Sequence, residues 1–286
     1  MVLQIKNLSK QYKQRVFTDL NFKLQEQTIY GLLGRNGVGK STLLNIISNR
    51  IFATTGEVLL DGQLVTNNDT ALNHIFLMSE NNLYPQNFKV QQLWKMSAAF
   101  YRQFDWDLAT DFAQQFNLDP SKKLRNLSTG YRTIAKMLTA LCVPCDYIFL
   151  DEPILGLDAA NRETFYQALL QAYDHQPRTF VIATHIIGEI EQILEKAIIL
   201  KQGKIIAQGD IDEITQSVKL VQGPKDLVQS LLVDQKVLES QDFANTTSVY
   251  VQNLQLSTFP EEIEVNNVDL QTCFIRLTKE RHNYES

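Results

Sequence analysis

The segment GRNGVGKST, residues 34–42, decides the fold of this chain. It follows the apolar run TIYGLL and precedes LLNII, whose apolar residues recur at helical spacing. A strand, a glycine-rich turn and a helix are the context in which GxxxxGK[ST] forms a phosphate-binding P-loop. The glycines let backbone N–H groups point at phosphate oxygens, and the helix amino terminus adds a favourable dipole. The sequence therefore predicts a P-loop NTPase.

The residue types within this segment suit a nucleotide triphosphate and its metal. Lys40 is expected to reach the terminal phosphates, and the hydroxyl of Ser41 suits Mg²⁺. The predicted nucleotide-binding residues of the loop are Gly34, Arg35, Asn36, Gly37, Val38, Gly39, Lys40, Ser41 and Thr42.

Two acidic residues follow a second apolar run, YIFL. Asp151 comes directly after it, at the carboxyl end of a predicted parallel strand, where such sheets bind ligands. We therefore expect Asp151 to supply a second anchor for Mg²⁺. Glu152 can accept a proton from the water that attacks the terminal phosphate and can orient that water. The alternative for Glu152 is a solvated surface residue.

The composition excludes several classes of protein. The chain has 286 residues, of which 44% are apolar and 21% charged, which rules out disordered and collagen-like chains. It contains no run of about 18 apolar residues and no apolar amino-terminal signal, so we expect a cytosolic chain. The net charge is −5, and residues 216–286 hold 6 basic and 10 acidic side chains. Without a basic excess, no nucleic-acid partner is expected.

Periodicity divides the chain into regions. The first 66 residues are mainly β, and Asp61-Gly62 between apolar runs predicts a hairpin. Residues 88–124 are helical and aromatic; their aromatic side chains are expected to form core, with an exposed partner groove as the alternative. Helices over 128–141, 159–173 and 186–194 then alternate with the strands YIFL, FVIAT and AIIL, which suits a buried parallel sheet. Beyond Gly209 we predict a small α+β appendage.

These motifs, over residues 1–215, resemble the ATP-binding subunits of ABC transporters, most closely those of bacterial drug and peptide export. Besides the P-loop, LSTGY at 127–131 resembles the LSGGQ signature, IFLDEP the Walker B strand and LGLD at 155–158 the D-loop. His185, after FVIAT, matches the switch histidine. The implied fold is α/β: a P-loop NTPase cassette with a parallel core sheet, an antiparallel β lobe and a helical subdomain over about 88–138. An accessory domain is expected over 216–286.

The resemblance also implies a head-to-tail homodimer or heterodimer, with each ATP between one subunit's P-loop and the other's signature. It implies that Tyr12 stacks on adenine and that His185 contacts the terminal phosphate and senses hydrolysis. The residues expected to contact nucleotide across the dimer are Ser128, Thr129, Gly130 and Asp158. Two alternatives stay open: Ser128 is also a good helix N-cap, and Tyr12 could be a turn residue packed on the sheet edge.

The chain departs from the family pattern at the Q-loop and in the signature. Glu80 takes the position where many relatives have glutamine; its carboxylate can approach Mg²⁺ or its waters but donates no hydrogen bond when ionised. In the signature, Thr129 replaces a glycine and Tyr131 a glutamine.

The function implied is ATP hydrolysis, with ATP and Mg²⁺, that powers export of a drug, peptide or lipid-like substrate through a separate membrane permease. The chain would then be cytoplasmic and peripheral on the inner face of the cell membrane. Two other functions stay open. One is an ABC switch acting on ribosomes or DNA, although only one cassette is present. The other is a P-loop GTPase, although the guanine-reading NKxD segment is missing.

Overall fold

The computed structural model describes residues 1–81, 83–101, 103–256 and 258–279. The chain forms two compact units. The first consists of Met1–His185 with Leu200–Ile205, and the second of Ile186–Ile199 with the chain from Ile206 onward. The domain boundary that the sequence suggests after residue 215 stays a prediction.

The first unit contains two sheets and a set of helices. Its strands are β1 (Leu3–Gln11), β2 (Arg15–Leu24), β3 (Ile29–Gly34), β4 (Thr55–Leu60), β5 (Gln63–Leu64), β6 (Ile75–Met78), β7 (Tyr147–Asp151) and β8 (Thr179–Thr184). Its helices are α1 (Lys40–Ile47), α2 (Asp69–Leu72), α3 (Val90–Tyr101), α4 (Trp106–Gln115), α5 (Thr129–Cys142) and α6 (Ala159–His175).

The parallel sheet places the predicted site residues at one edge. Strands β3, β8, β7 and β6 lie side by side in parallel, and β9 (Lys196–Lys201) and β10 (Lys204–Asp210) continue the same sheet, giving the order β10-β9-β3-β8-β7-β6. Every residue of β3, β7 and β8 is buried, which explains their continuous apolar runs. The P-loop therefore follows the carboxyl end of β3, and Asp151 ends β7, on the other side of β8; its predicted place at the carboxyl end of a parallel strand is confirmed.

The second sheet of this unit is antiparallel, in the order β2-β1-β4-β5. The predicted hairpin is present: Leu60 pairs with Gln63, and Asp61 and Gly62 have φ angles of 47° and 80°. Two successive positive φ angles are those of a type I′ turn. The α/β fold with an antiparallel β lobe is confirmed.

Helices α3, α4 and α5 form the helical part of the unit. Its aromatic side chains are core for the most part: Phe112 and Phe116 are buried, and the ring of Phe104 lies 6.4 Å from that of Trp94. Phe100 differs, since its side chain is 72% exposed. The prediction of an aromatic core is thus confirmed for part of the stripe only.

The second unit has an antiparallel sheet and short helices. After α7 (Ile211–Gln216) follow β11 (Val218–Pro224), α8 (Lys225–Leu231), β12 (Lys236–Phe243), β13 (Thr246–Gln252), β14 (Glu264–Asn267) and α9 (Leu270–Thr278). The sheet order is β12-β13-β11-β14, and its core includes Val221, Val228 and Val251. The α+β character of the appendage is confirmed.

The predicted helix over 186–194 is wrong. This stretch contains only a short 3₁₀ turn, Glu191–Ile193. Gly188 is the third residue of this stretch, and glycine costs about 1 kcal/mol relative to alanine inside a helix. The Glu191 carboxylate accepts a hydrogen bond from the backbone N–H of Leu270, at the start of α9, at 2.8 Å.

No helix within the described part of the chain combines the length and apolar character needed to cross a bilayer.

Candidate active site

The P-loop connects the end of β3 to the first residue of α1. Gly39 is the N-cap of α1 and has a φ angle of 110°, in the left-handed region that favours glycine. A Cβ atom there would lie 2.8 Å from Cγ1 of Val16 and 3.1 Å from a ring carbon of Phe17. No described side chain caps α1. The first N–H groups of α1 are thus available to an anion such as phosphate.

Lys40 lies across the loop, with a side chain that is only 6% exposed. Its Nζ donates a hydrogen bond to the carbonyl oxygen of Gly34 at 2.7 Å and lies 3.4 Å from Oε1 of Glu152. The ammonium is therefore held by a carbonyl oxygen and a carboxylate, two contacts that phosphate oxygens could replace.

Glu152 is buried, so the alternative of a solvated surface residue is wrong. Its φ angle is 48°, uncommon for a residue other than glycine, and its N–H donates to the carbonyl of Ala183 at 2.9 Å. Oε2 accepts a hydrogen bond from the hydroxyl of Thr184 at 2.9 Å, and Nδ1 of His185 lies 3.0 Å from Oε1. These contacts fix the orientation of the carboxylate.

Asp151 and Ser41 lie together at the strand ends. The Ser41 hydroxyl donates to Oδ1 of Asp151 at 3.1 Å. Burial raises the pKa of Asp151, and the nearby carboxylates of Glu152 and Glu80 raise it further, whereas the Ser41 hydrogen bond and Lys40 lower it. An additional positive charge at this point would stabilise the ionised carboxylate.

Lys40, Ser41, Glu152 and His185 border a cavity of about 500 Å³, whereas Asp151 lies behind Ser41 and does not line it. The predicted site residues that line it are Asn36, Gly37, Gly39, Lys40, Ser41, Thr42, Glu80, Glu152 and His185. Val16 and Leu155 line it as well and were not predicted. Leu155 could have been found as the first residue of the LGLD motif, whereas nothing in the sequence around Val16 indicates its place.

Other predicted residues lie outside this cavity. Tyr12 is 57% exposed, and Nζ of Lys10 lies 4.7 Å from its ring centroid. Ser128 caps α5, accepting a hydrogen bond from the N–H of Tyr131 at 3.2 Å, so its N-cap role is confirmed. Asp158 caps α6 in the same way, through the N–H of Asn161 at 2.8 Å.

The remaining signature residues adjoin Ser128 on α5. The Thr129 hydroxyl accepts a hydrogen bond from Arg132 at 3.0 Å. Gly130 packs closely on the LGLD segment, since a Cβ atom there would lie 3.0 Å from the carbonyl oxygen of Gly156. Within one chain, neither residue lines the cavity.

Lys136 contacts the backbone of the cavity residue Glu80, and the sequence reasoning did not single it out. It is buried, and its Nζ donates to the carbonyl oxygens of Ser79 at 2.9 Å and Glu80 at 2.7 Å. Burial lowers its pKa, and the carboxylates of Glu80 and Asp151 counteract that effect. The available signal was a single charged residue inside the apolar run TIAKMLTALC.

The chain is similar to known ATP-binding proteins of ABC transporters. Residues 17–155 match the family model described as "ABC transporter". The ABC transporter ATP-binding protein YtrB of Bacillus subtilis (strain 168) is 27% identical over 222 residues, covering 77% of this chain and 76% of YtrB. The petrobactin import ATP-binding protein YclP of the same organism is 27% identical over 226 residues, covering 76% of this chain and 90% of YclP.

The fold is also similar to a solved structure described as "Structure of ATP binding subunit of ABC transporter". The TM-score is 0.68 at 21% sequence identity, over 76% of this chain and 92% of that one. At this identity the likeness concerns the fold.

Proposed function

From the premise that this chain belongs to the ATP-binding subunits of ABC transporters, which are ATPases, we propose that it powers export through a separate membrane permease. The observation that carries the proposal is that Lys40, Ser41 and Glu152 line one cavity, with Asp151 hydrogen-bonded to Ser41 beside it. A triphosphate needs a cationic cradle, a metal anchor and a base for the attacking water, and these residues have those chemical properties.

Four residues of the chain have separate roles in the proposed hydrolysis. Lys40 exchanges its contact with Glu152 for the terminal phosphates, and Glu152 becomes free to accept a proton from the attacking water. Thr184 keeps that carboxylate oriented, and His185 contacts both Glu152 and the terminal phosphate. Lys40 and Glu152 are themselves buried, and charge interactions between buried groups are stronger than in water.

The donor set fits Mg²⁺ as the metal cofactor. The Ser41 hydroxyl and the carboxylates of Asp151 and Glu80 supply oxygen atoms, the ligands that Mg²⁺ prefers. The described residues contain no group of three or more His, Cys, Asp or Glu side chains able to hold a metal by themselves. Mg²⁺ would therefore be completed by phosphate oxygens and water, and when bound it supplies charge neutralisation to the phosphates.

A matched pair of serine variants on α1 tests this metal assignment. Ser41→Ala should raise the Mg²⁺ concentration needed for half-maximal ATP hydrolysis. Ser48→Ala is the control, because Ser48 lies at the other end of α1 and its hydroxyl donates to the carbonyl of Leu44. An unchanged Mg²⁺ requirement for Ser41→Ala would remove Ser41 from the metal site.

The exposed residues outside the cavity support a dimer as the working form. Ser128 and Thr129 are exposed at the amino terminus of α5, where N–H groups and a hydroxyl can meet an anion presented by a second subunit. We propose that Ser128, Thr129, Gly130 and Asp158 contact ATP held by the P-loop of a partner subunit. In the same arrangement the exposed ring of Tyr12 stacks on adenine.

The membrane partner is tested by purification. A tagged Glu152→Gln variant, extracted from membranes in detergent with ATP present, should bring down a polytopic membrane protein. The localisation that goes with this proposal is cytoplasmic, at the inner face of the cell membrane. Co-sedimentation with ribosomes in place of membranes would overturn the proposal in favour of a translation-linked switch.

The export direction draws support from the LSTG form of the signature and from Glu80, both of which resemble drug- and peptide-export ATPases. YclP, by contrast, is an import protein by name, so direction needs its own experiment. Deletion of the gene should increase sensitivity to a panel of cationic drugs and antimicrobial peptides. A growth defect confined to a scarce nutrient, with unchanged drug sensitivity, would indicate import.

A further inference from the structure

Lys136 connects the helix that begins with the signature segment to the loop that carries Glu80. It lies on α5, two helical turns after Ser128, and its side chain is 7% exposed. Its ammonium reaches back to the end of β6, where it donates to the carbonyl oxygens of Ser79 and Glu80 at 2.9 and 2.7 Å. The sequence separation of 56 residues makes this a tertiary link between two elements of the site.

The cost of burying a lysine indicates that these two contacts matter. An ammonium removed from water loses its hydration, and only strong hydrogen bonds offset that loss. Hydrogen bonds from a charged donor are shorter and stronger than neutral ones, so two of them restrict the backbone where they attach. A second cation, Arg50, binds the strand that leads into this loop, donating to the carbonyl of Leu77 on β6 at 2.8 Å.

We infer that Lys136 is a positioning residue that fixes Glu80 at the edge of the nucleotide cavity. Glu80 lines that cavity, and the Lys136 ammonium holds its backbone and offsets its negative charge. The chain carries a carboxylate at this position, and a nearby cation makes a carboxylate tolerable close to Asp151. This inference rests on the proposed function only for the chemical use of Glu80, and the anchoring itself is independent of it.

The anchoring can be measured without nucleotide. A glutamyl endopeptidase cuts after glutamate, and the carbonyl of Glu80 is one of the two that Lys136 holds. In Lys136→Met, cleavage after Glu80 should be about tenfold to a hundredfold faster, since a charge-assisted hydrogen bond is lost. Cleavage after Glu163, on α6, serves as the internal control for general loosening and should not change.

Three further variants separate positioning from folding. Lys136→Arg keeps a charged donor and should restore slow cleavage. Thr139→Val is the matched control on α5, because Thr139 is equally buried but its hydroxyl donates only to the carbonyl of Ala135 in its own helix. If Lys136→Met does not fold, Lys136→Gln, which retains a neutral donor, takes its place with a smaller increase in cleavage.

ATP turnover then tests whether Lys136 acts through Glu80. Lys136→Met should lower kcat roughly tenfold to a hundredfold, the effect of a misplaced site residue, with ATP affinity in EDTA unchanged. In a Glu80→Ala background the same substitution should have no further effect. An equal loss in both backgrounds, or unchanged cleavage after Glu80, would overturn the inference.

The two measurements keep the inference and the proposed function distinguishable. If the wild-type protein shows no ATP turnover, the proposed function fails, while faster cleavage after Glu80 in Lys136→Met still supports the anchoring. If turnover is normal but cleavage is unaffected by Lys136→Met, the proposed function stands and the inference fails.

Discussion

The Lys40 ammonium lies 3.4 Å from Oε1 of Glu152, and both side chains are more than nine-tenths buried. The cation of the P-loop and the acid that follows β7 thus neutralise each other across the cavity. Removing either residue would leave the charge of the other buried and unpaired, which would lower the free energy of unfolding. In the proposed function, nucleotide binding exchanges this contact for one between Lys40 and phosphate.

Replacing Lys40 tests whether its ammonium binds the phosphates of ATP. Lys40→Ala should lower ATP affinity about tenfold to a hundredfold, because hydrogen bonds to charged groups contribute about 1.5–3 kcal/mol. Affinity is measured by fluorescence titration with an ATP analogue. Lys23→Ala, at an exposed position of β2, is the control. Undiminished affinity in Lys40→Ala would contradict the phosphate assignment.

Glu152→Gln separates binding from turnover. The glutamine oxygen can still accept the Thr184 hydrogen bond, but the amide cannot take a proton from water. We expect kcat to fall by about 10² to 10⁴ with ATP affinity retained, the range for a general base. A dimer should accumulate with ATP, as measured by light scattering after chromatography. Glu163→Gln, on α6, is the control, and wild-type hydrolysis by Glu152→Gln would exclude Glu152 as the base.

His185→Ala tests the second contact to Glu152. The imidazole lies 3.0 Å from Oε1, so its removal should lower kcat while leaving ATP affinity within a few-fold of the wild type. His175→Ala is a matched control, because Nε2 of His175 lies 3.1 Å from Asp105, a comparable histidine–carboxylate pair outside the cavity. Equal effects of the two substitutions would argue against a role for His185 in turnover.

Tyr12 allows a test of adenine stacking. Tyr12→Ala should weaken ATP binding by about 1–3 kcal/mol, the typical contribution of base–aromatic stacking, whereas Tyr12→Phe should bind normally. Binding of inorganic triphosphate is the internal control, since it lacks the base and should be unaffected. Unchanged ATP affinity in Tyr12→Ala would favour the alternative of a turn residue.

The second unit offers a pH-dependent prediction at Glu239. Burial alone would raise the pKa of this carboxyl, but hydrogen bonds from Lys279 and Gln241 and the charge of Arg276 outweigh it, and the pKa is lowered from the usual 4.5. A lowered pKa stabilises the folded state above pH 4.5, and the contribution is lost as pH falls through the folded value.

Glu239→Gln should therefore reduce the unfolding temperature at neutral pH, and its difference from the wild type should shrink in acid. Unfolding is followed by circular dichroism between pH 7 and pH 3. Glu264→Gln, at an exposed position of β14, is the control. A pH-independent difference would mean that packing, not charge, accounts for the effect.

The parts of the site that were predictable are local in sequence. The P-loop, the acids after YIFL and the Asp61-Gly62 turn each depend on a few consecutive residues whose backbone preferences are strong. The contacts of Val16 with Gly39 and of Lys136 with Glu80 join distant elements, and no local pattern encodes them. The helix predicted over 186–194 failed for a local reason, since apolar spacing alone did not account for Gly188 within the stretch.

The compact units alternate along the chain, and this has a practical consequence for protein engineering. The second unit includes residues 186–199, and its last helix, α9, is joined to earlier segments: Leu270 donates to Glu191, and the Cys273 thiol lies 3.4 Å from the carbonyl of Ile214. A truncation after residue 215 would remove α9, so that Glu191 and Ile214 would lose these contacts and Ile214 would become exposed. A cut after residue 215 would therefore divide the second unit, and an expressed ATPase fragment ending there calls for redesign of the surface around Ile214.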